Sequence, residues 1–116
     1  METHRLVLPE DLNQYGHLFG GRLLGWVDEA SWIAASLEFP GSRLVTMAMD
    51  EVIFRHSVKE GTILTIRSES MKPGRTSVTY EVSVMDERAK HENPIFTTRV
   101  TFVNIDDSGQ KTPLQK

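Results

Sequence analysis

Apolar residues recur at helical spacing in the first third of the chain. Projected at about 100° per residue, the segment 19–37 places one apolar series on a single face, namely Leu23, Val27, Ala30, Ala34 and Leu37. Most of the remaining circumference is apolar too, and only a narrow arc is consistently polar. A helix of this kind is normally buried, in a core or at a subunit contact.

The pattern changes from helical to alternating after the proline and glycine at positions 40 and 41. Alternating or β-branched runs at residues 44–54, 61–71, 76–85 and 95–105 predict four long strands, and a shorter run at residues 3–8 predicts a first strand. One strand, one long helix and four strands form an α+β pattern. We expect one domain over residues 1–116, with residues 108–116 as a loose tail.

The predicted helix has more apolar surface than one small domain ordinarily covers, so the sheet must curve around it. Such a sheet ends in an edge strand, and pairing with a second copy protects that edge from aggregation. The sequence therefore predicts at least a homodimer, with the functional site at the interface, and leaves a tetramer or hexamer open.

Composition narrows the range of partners. The net charge of −3 gives no support for a nucleic-acid partner. The absence of cysteine excludes disulfides and thiolate zinc sites. No apolar run approaches the length of a membrane span, so we expect no membrane partner and a cytoplasmic location.

Asp28 is the acid that stands out on the predicted helix, because it lies away from the polar arc and beside apolar positions. A carboxylate placed there needs hydrogen bonds or takes a raised pKa, and either condition suits a catalytic acid or base. A structural acid, or one end of an interface ion pair, explains the same spacing equally well.

The residues before the helix add a second candidate feature. Gly20 and Gly21 allow close approach to the backbone, and the unpaired N–H groups of a helix start can stabilise an oxyanion. Asn13 lies a few residues upstream and supplies a side-chain amide. A glycine pair before a helix is, however, more often plain turn chemistry.

A longer motif joins these residues. The run P-x-D-x-N-x-x-G-x-x-F-G-G-x-L-x-x-x-x-D, which starts at Pro9 and ends at Asp28, resembles the acyl-CoA thioesterases of the hotdog fold, in particular their YciA-like and cytosolic acyl-CoA hydrolase branch. The resemblance continues through residues 44–64, 72–77 and 97–110 and covers nearly the whole chain.

The resemblance implies a hotdog fold, an acyl-CoA substrate and no cofactor besides the coenzyme A that the substrate carries. It implies that Asp28 acts as general base or nucleophile, and that Asn13 comes from the neighbouring subunit. Phe19, Gly20 and Gly21 are then substrate-binding residues. The chain departs from the family pattern at three positions. Relatives often have Asn in place of Tyr15, Asp or Asn in place of His17, and Pro in place of Ser57.

Residues 72–77 form a basic turn with the sequence KPGRTS. Its cations and hydroxyls, with Lys72, Arg75 and Ser77 as the main candidates, are suited to binding phosphate. A solvated hairpin turn is the simpler explanation from the residues alone, and the resemblance favours contact with coenzyme A. Arg55 and Lys59 are weaker candidates of the same kind.

Two other activities remain open at this point. A hotdog hydratase or dehydratase would use His17 with Asp28 as an acid–base pair, and a non-catalytic acyl-CoA binding module would use neither. The four histidines have no metal-ligand spacing, so no metal site is expected. In the favoured reaction, thioester hydrolysis, the helix start stabilises the oxyanion, and Asp28 activates water or attacks directly to form a mixed anhydride.

Overall fold

The computed structural model describes residues 1–89 and 93–116. His91 therefore lies outside the described residues. The elements in chain order are β1 (Glu2–Leu6), a short 3-10 turn (Pro9–Asp11), α1 (Gly20–Glu38), β2 (Leu44–Phe54), β3 (Ile63–Ser70), β4 (Ser77–Asp86) and β5 (Phe96–Asn104). Every strand and the helix predicted from the pattern are present, which confirms the α+β class.

The five strands form one antiparallel sheet in the order β1-β3-β4-β5-β2. Alternation along each strand separates its two faces. On β4, Val78, Val82 and Val84 are buried against α1, whereas Glu81 and Ser83 lie on the outer face. The sheet therefore has an apolar inner face and a polar outer face.

Helix α1 packs on the inner face of that sheet. Leu23, Val27, Ala30 and Ala34 are buried, as the periodicity predicts. Leu37 belongs to the same series but is 70% exposed, so its predicted burial is wrong for this chain alone. Leu37 lies about 180° around the helix from Asp28, which faces β2, so its exposed side chain is on the other side of α1.

Strand β2 and the side of α1 that faces it expose apolar side chains. These residues are Trp32, Val45, Met47, Val52, Ile53 and Phe54. We call this set the β2 apolar surface. Within the part of the chain that is described, β2 pairs with β5 alone, and its second edge is open.

The C-terminal residues are not a loose tail. The N–H of Leu114 donates to the carbonyl of Arg75 at 2.9 Å, and the Asn104 side-chain amide donates to the carbonyl of Pro113 at 2.8 Å. The N–H of Gln115 donates to the hydroxyl of Ser42 at 2.7 Å. Leu114 also packs on the core, and this apolar contact explains why a polar-looking segment is ordered.

No helix in the described ranges is long and apolar enough to cross a membrane.

Candidate active site

Asp28 lies on the side of α1 that faces β2, and it is half-buried. Its Oδ1 accepts a hydrogen bond from the hydroxyl of Thr46 on β2 at 2.7 Å. Nearby, the indole N–H of Trp32 donates to the carbonyl of Leu44 at 3.0 Å and fastens the same part of the helix to the same strand. The carboxylate is thus held in one orientation at the boundary between helix and edge strand.

Thr46 is a site residue that the sequence interpretation missed. Threonine is common in strands because its branched side chain packs well on a sheet, so a threonine in a predicted strand does not by itself indicate a site residue. Thr46 shares the face of buried Leu44 but is itself exposed, so no requirement for a buried hydrogen-bond partner marked it in the sequence.

The start of α1 is set by a run of backbone hydrogen bonds. The N–H of Phe19 donates to the carbonyl of Asp11 at 2.9 Å, and Phe19 then stands at the N-cap position without a side-chain cap. The N–H groups of Gly20 and Gly21 therefore begin the helix, where its dipole carries partial positive charge. Such a terminus can stabilise a carbonyl oxygen that gains negative charge.

The two glycines also make room for aromatic rings. A Cβ on Gly21 would stand 3.0 Å from Cε2 of Phe19, and a Cβ on Gly20 would stand 3.4 Å from Cζ of Phe54. Because both distances are tight, the glycines let these rings lie close against the helix start.

Asn13 stabilises the loop that precedes the helix. Its Oδ1 accepts hydrogen bonds from the N–H groups of Tyr15 at 2.9 Å and His17 at 3.1 Å, and its own N–H donates to the carbonyl of His17 at 2.7 Å. Gly16 turns the loop with φ of 82°. The side-chain oxygen of Asn13 is therefore used locally, and its Nδ2 is the group suited to meet a ligand.

A cleft of about 390 Å³ opens at the helix start. We call it the helix-start cleft, and its lining residues are Asn13, His17, Leu18, Gly20, Leu23, Phe54, Arg55, His56, Ser57 and Val58. The structure thus brings together Asn13, Gly20 and Arg55 of the predicted site.

Asp28 does not line this cleft. It follows Gly20 by eight residues, which corresponds to about 12 Å along the helix axis. A substrate carbonyl at the start of α1 is therefore too distant for direct attack assisted by Asp28 of the same chain. Gly20, Gly21 and Asp28 lie on one helix, but within one chain they are too far apart to act on the same carbonyl group.

The basic turn with Lys72, Arg75 and Ser77 is further away. It connects β3 to β4 at the end of the sheet where α1 finishes, as the bond from the hydroxyl of Tyr80 to Glu38 shows. The helix start is tied to the other end, since the N–H of Leu18 donates to the carbonyl of Val58 at 2.7 Å. The eight residues of β3 separate the two ends by about 25 Å.

The guanidinium of Arg55 is turned to the outer face of the sheet, and its contact with substrate stays a prediction. Its Nη1 donates to the hydroxyl of Thr97 at 2.7 Å, on the outer face of the sheet. The residue lines both the helix-start cleft and an outer-face groove that contains Arg99. Among the described residues, no group of three or more His, Asp or Glu side chains is placed to hold a metal ion.

A long helix wrapped by a five-stranded antiparallel sheet, with a carboxylate fixed on the helix, defines a hotdog-type α+β protein. Accordingly, the chain resembles a hexameric hotdog-fold thioesterase of Campylobacter jejuni, with a TM-score of 0.84 and 32% identity over 97% of this chain and 88% of that one. The thioesterase superfamily profile matches residues 15–91. The chain therefore belongs to the thioesterase superfamily.

Two further relatives are informative. A Zymomonas mobilis protein described as an uncharacterized acyl-CoA thioester hydrolase is 33% identical over 105 residues, covering 88% of this chain and 69% of the relative. An acyl-CoA hydrolase of Staphylococcus aureus, solved with butyryl coenzyme A, has a TM-score of 0.82 and 28% identity over 99% of this chain and 68% of that one. Its structures include variants with an aspartate, an asparagine or a threonine replaced by alanine.

Proposed function

We propose that this chain is an acyl-CoA thioester hydrolase in which Asp28 is the general base or nucleophile. The single observation that carries the proposal is the half-buried Asp28 carboxylate, which Thr46 holds against the edge strand of a thioesterase-superfamily fold. A carboxylate in that position is oriented before substrate binds, and preorganised groups of this kind accelerate hydrolysis.

The Staphylococcus aureus variants support the choice of residues. The asparagine and the aspartate replaced in that enzyme stand at the same sequence separation as Asn13 and Asp28. The threonine replaced there follows the aspartate one residue sooner than Thr46 follows Asp28. The same three residue types thus recur at nearly the same spacing in a relative that was solved with butyryl coenzyme A.

A second copy of the chain completes the site. Antiparallel pairing of two β2 edges would bury both β2 apolar surfaces and would set the two α1 helices side by side in opposite directions. The start of one helix would then lie beside Asp28 of the other. The Campylobacter jejuni relative is hexameric, and a homo-oligomer built from such dimers suits this chain as well.

The same pairing explains the remote basic turn. Lys72, Arg75 and Ser77 lie at the end of the sheet where α1 finishes, which is the end at which the partner's α1 begins. They would therefore bind the phosphates of a coenzyme A whose thioester lies at the partner's helix start. Arg55, which lines the helix-start cleft, would add positive charge at its rim. Coenzyme A is then part of the substrate, and the reaction needs no other cofactor.

The reaction begins when the thioester carbonyl oxygen accepts hydrogen bonds from the N–H groups of Gly20 and Gly21 and from Nδ2 of Asn13. Phe19, exposed beside these groups, would contact the substrate. Asp28 of the other subunit takes a proton from water as the hydroxyl attacks the carbonyl carbon. The tetrahedral intermediate then expels the coenzyme A thiolate, which receives the proton from Asp28. In the covalent route, the carboxylate attacks the carbonyl carbon directly, the coenzyme A thiolate leaves and takes a proton from water, and water later hydrolyses the mixed anhydride to the free acid and the Asp28 carboxylate.

Release of coenzyme A thiol from acetyl to palmitoyl thioesters tests the proposal. Asp28→Asn should lower kcat by about 10²–10⁴-fold, the usual contribution of a general acid or base. Glu29→Gln is the matched control, because Glu29 is the adjacent acid on the exposed arc and pairs with Arg5. An Asp28→Asn enzyme as active as the control would remove Asp28 from the mechanism.

Single-turnover hydrolysis in ¹⁸O-labelled water separates the two routes, since only the covalent route places labelled oxygen in the Asp28 carboxylate. A cytoplasmic location also remains a proposal, based on the sequence alone.

A further inference from the structure

One aromatic ring borders both the helix-start cleft and the first residue of α1. Phe54, the last residue of β2, is half-exposed and lines the cleft. A Cβ on Gly20 would stand 3.4 Å from Cζ of that ring and 3.5 Å from its Cε1. The ring of Phe54 therefore lies directly against the backbone at the start of the helix.

The ring of Phe54 is supported from behind as well. Phe54 pairs with Phe96 in the register of β2 with β5, and the two ring centroids are 4.9 Å apart at an interplanar angle of 61°. This edge-to-face geometry is favourable for two aromatic rings. Phe96 is fully buried in a close-packed core, so it does not yield without disturbing its neighbours. Held between Gly20 and Phe96, the ring of Phe54 forms a fixed wall of the cleft.

The cleft is apolar on its inner side and polar at its mouth. Leu18, Leu23 and Val58 line the cleft and are buried, whereas Ser57 lines it and is exposed. Burial in such a space favours an apolar chain, whereas the pantetheine arm of coenzyme A carries amide groups that need hydrogen-bond partners. The acyl group is therefore the part of the substrate that suits the inner side of the cleft.

The proposed dimer brings a second chain to the same place. Phe54 belongs to the β2 apolar surface, and pairing of the two β2 edges puts the partner's Asp28 beside the start of α1. A thioester carbonyl bound by the N–H groups of Gly20 and Gly21 then has the partner's carboxylate and the ring of Phe54 as neighbours. The ring is thus close to the acyl carbons that follow the carbonyl.

We propose that Phe54 determines the acyl specificity of this chain, because its ring closes the acyl pocket of the helix-start cleft and restricts the substrate to short acyl groups. The inference rests on the proposed function, since it names the substrate class of the same site. A fixed ring rejects a longer or bulkier acyl group by steric overlap. Removal of the ring should therefore relax the selection.

The test compares Phe54→Ala and Phe54→Leu with the wild type. We would measure kcat/KM for butyryl-CoA, octanoyl-CoA and phenylacetyl-CoA, the last of which carries a ring of the size that Phe54→Ala removes. The octanoyl to butyryl ratio of kcat/KM should rise about tenfold in Phe54→Ala and about threefold in Phe54→Leu, as expected for added room in an apolar pocket. The phenylacetyl to butyryl ratio should also rise about tenfold in Phe54→Ala, because an apolar cavity of this kind admits a ring.

Ile53→Ala is the matched control. Ile53 precedes Phe54 on β2, is similarly exposed and belongs to the β2 apolar surface, but it lines the outer-face groove. Its replacement removes apolar area from the same edge strand without opening the helix-start cleft, so both ratios should stay at the wild-type value. Phe54→Leu keeps most of the apolar area and decides the question if Phe54→Ala does not fold.

The two ratios decide the proposal. A rise in either ratio in the Phe54 variants, absent from Ile53→Ala, supports a wall that limits the acyl group. Unchanged ratios overturn it, and so does a fall in kcat/KM by the same factor for all three substrates. A ring that contacts only the pantetheine arm, or that only stabilises the strand, does not distinguish one acyl group from another.

Failure of the proposed function gives a different result. If the wild-type chain hydrolyses none of the three thioesters, the hydrolase proposal fails. The acyl pocket is then tested by calorimetric binding of the same compounds to the wild type, Phe54→Ala and Ile53→Ala. A Kd for octanoyl-CoA that falls about tenfold relative to butyryl-CoA in Phe54→Ala alone supports the pocket. An unchanged ratio of Kd values, or the absence of binding, overturns it.

Discussion

The hydroxyl of Thr46 donates a 2.7 Å hydrogen bond to Oδ1 of Asp28 and so joins the edge strand β2 to the side of α1. The contact spans 18 residues of sequence and lies beside the β2 apolar surface. It fixes the direction of the one carboxylate on which the proposed hydrolysis depends. The first prediction follows from this pair.

Thr46→Ala should lower kcat about tenfold, because it removes a hydrogen bond to a charged group, which contributes about 1.5–3 kcal/mol. Thr46→Ser keeps the hydroxyl and should stay within about threefold of wild type. Thr101→Ala is the control, since its hydroxyl contacts Thr79 on the outer face at 2.8 Å. Equal kcat for the Thr46→Ala and Thr101→Ala enzymes would show that orientation of Asp28 by Thr46 is unimportant.

The distance between Gly20 and Asp28 leads to a complementation experiment. Asp28→Asn and Gly20→Val each disable one half of a site that two subunits share. When the two inactive proteins are unfolded together and refolded, mixed dimers carry one site with both wild-type halves, so about a quarter of wild-type activity should return. Activity that stays at the level of the separate variants would place the whole site within one chain.

Lys72 and Arg75 should affect binding rather than chemistry. Replacing both with alanine should raise KM for butyryl-CoA about tenfold at low salt, with kcat nearly unchanged, and the difference should shrink as salt screens the charges. KM for butyryl-pantetheine should not change. Arg67→Gln, on the outer face and paired with Glu2, is the control. An unchanged KM for butyryl-CoA would mean that residues 72–77 form a solvated turn that does not bind coenzyme A.

The ionisation of Tyr80 should make the stability of the folded protein fall at alkaline pH. Burial, together with the hydrogen bond that its hydroxyl donates to Glu38, raises the pKa of Tyr80 above its ordinary value. The unfolded tyrosine ionises near pH 10 while the folded one stays neutral, so this stabilisation is complete below about pH 10 and is lost as the pH rises further.

Urea midpoints measured across that range should therefore fall less steeply for Tyr80→Phe than for the wild type. Tyr15→Phe is the matched control, because Tyr15 is 77% exposed at a loop tip and is the other tyrosine of the chain. If Tyr80→Phe and Tyr15→Phe lose stability equally above pH 10, the hydroxyl of Tyr80 does not control this transition.

Local sequence patterns were sufficient to predict the strands, the helix and part of the candidate site. The helical period of Leu23, Val27 and Ala30 and the alternation in β2–β5 depend on which face of each element meets the core, and this information is contained in short windows. The same windows placed Gly20 and Gly21 at a helix start. The motif resemblance then assigned roles to Asn13 and Asp28, which remain predictions until variants are measured.

Other features depend on contacts between distant segments. Leu37 follows the apolar period but is exposed, because the period does not show how far around the helix the packed face extends. Residues 108–116 look like a tail, yet Asn104 and Ser42 hold them by hydrogen bonds. Only the register with β5 shows that the guanidinium of Arg55 meets Thr97, and its predicted contact with substrate stays a prediction.

The sequence by itself determined the α+β class, the five strands, the long helix and the choice of Asp28, since each follows from local periodicity or from a contiguous motif. The tertiary structure decided that Thr46 orients Asp28 and that the basic turn lies at the end of the sheet opposite the helix start. Hydrogen bonds and distances between remote residues are set by packing of the whole chain, and no local pattern contains them.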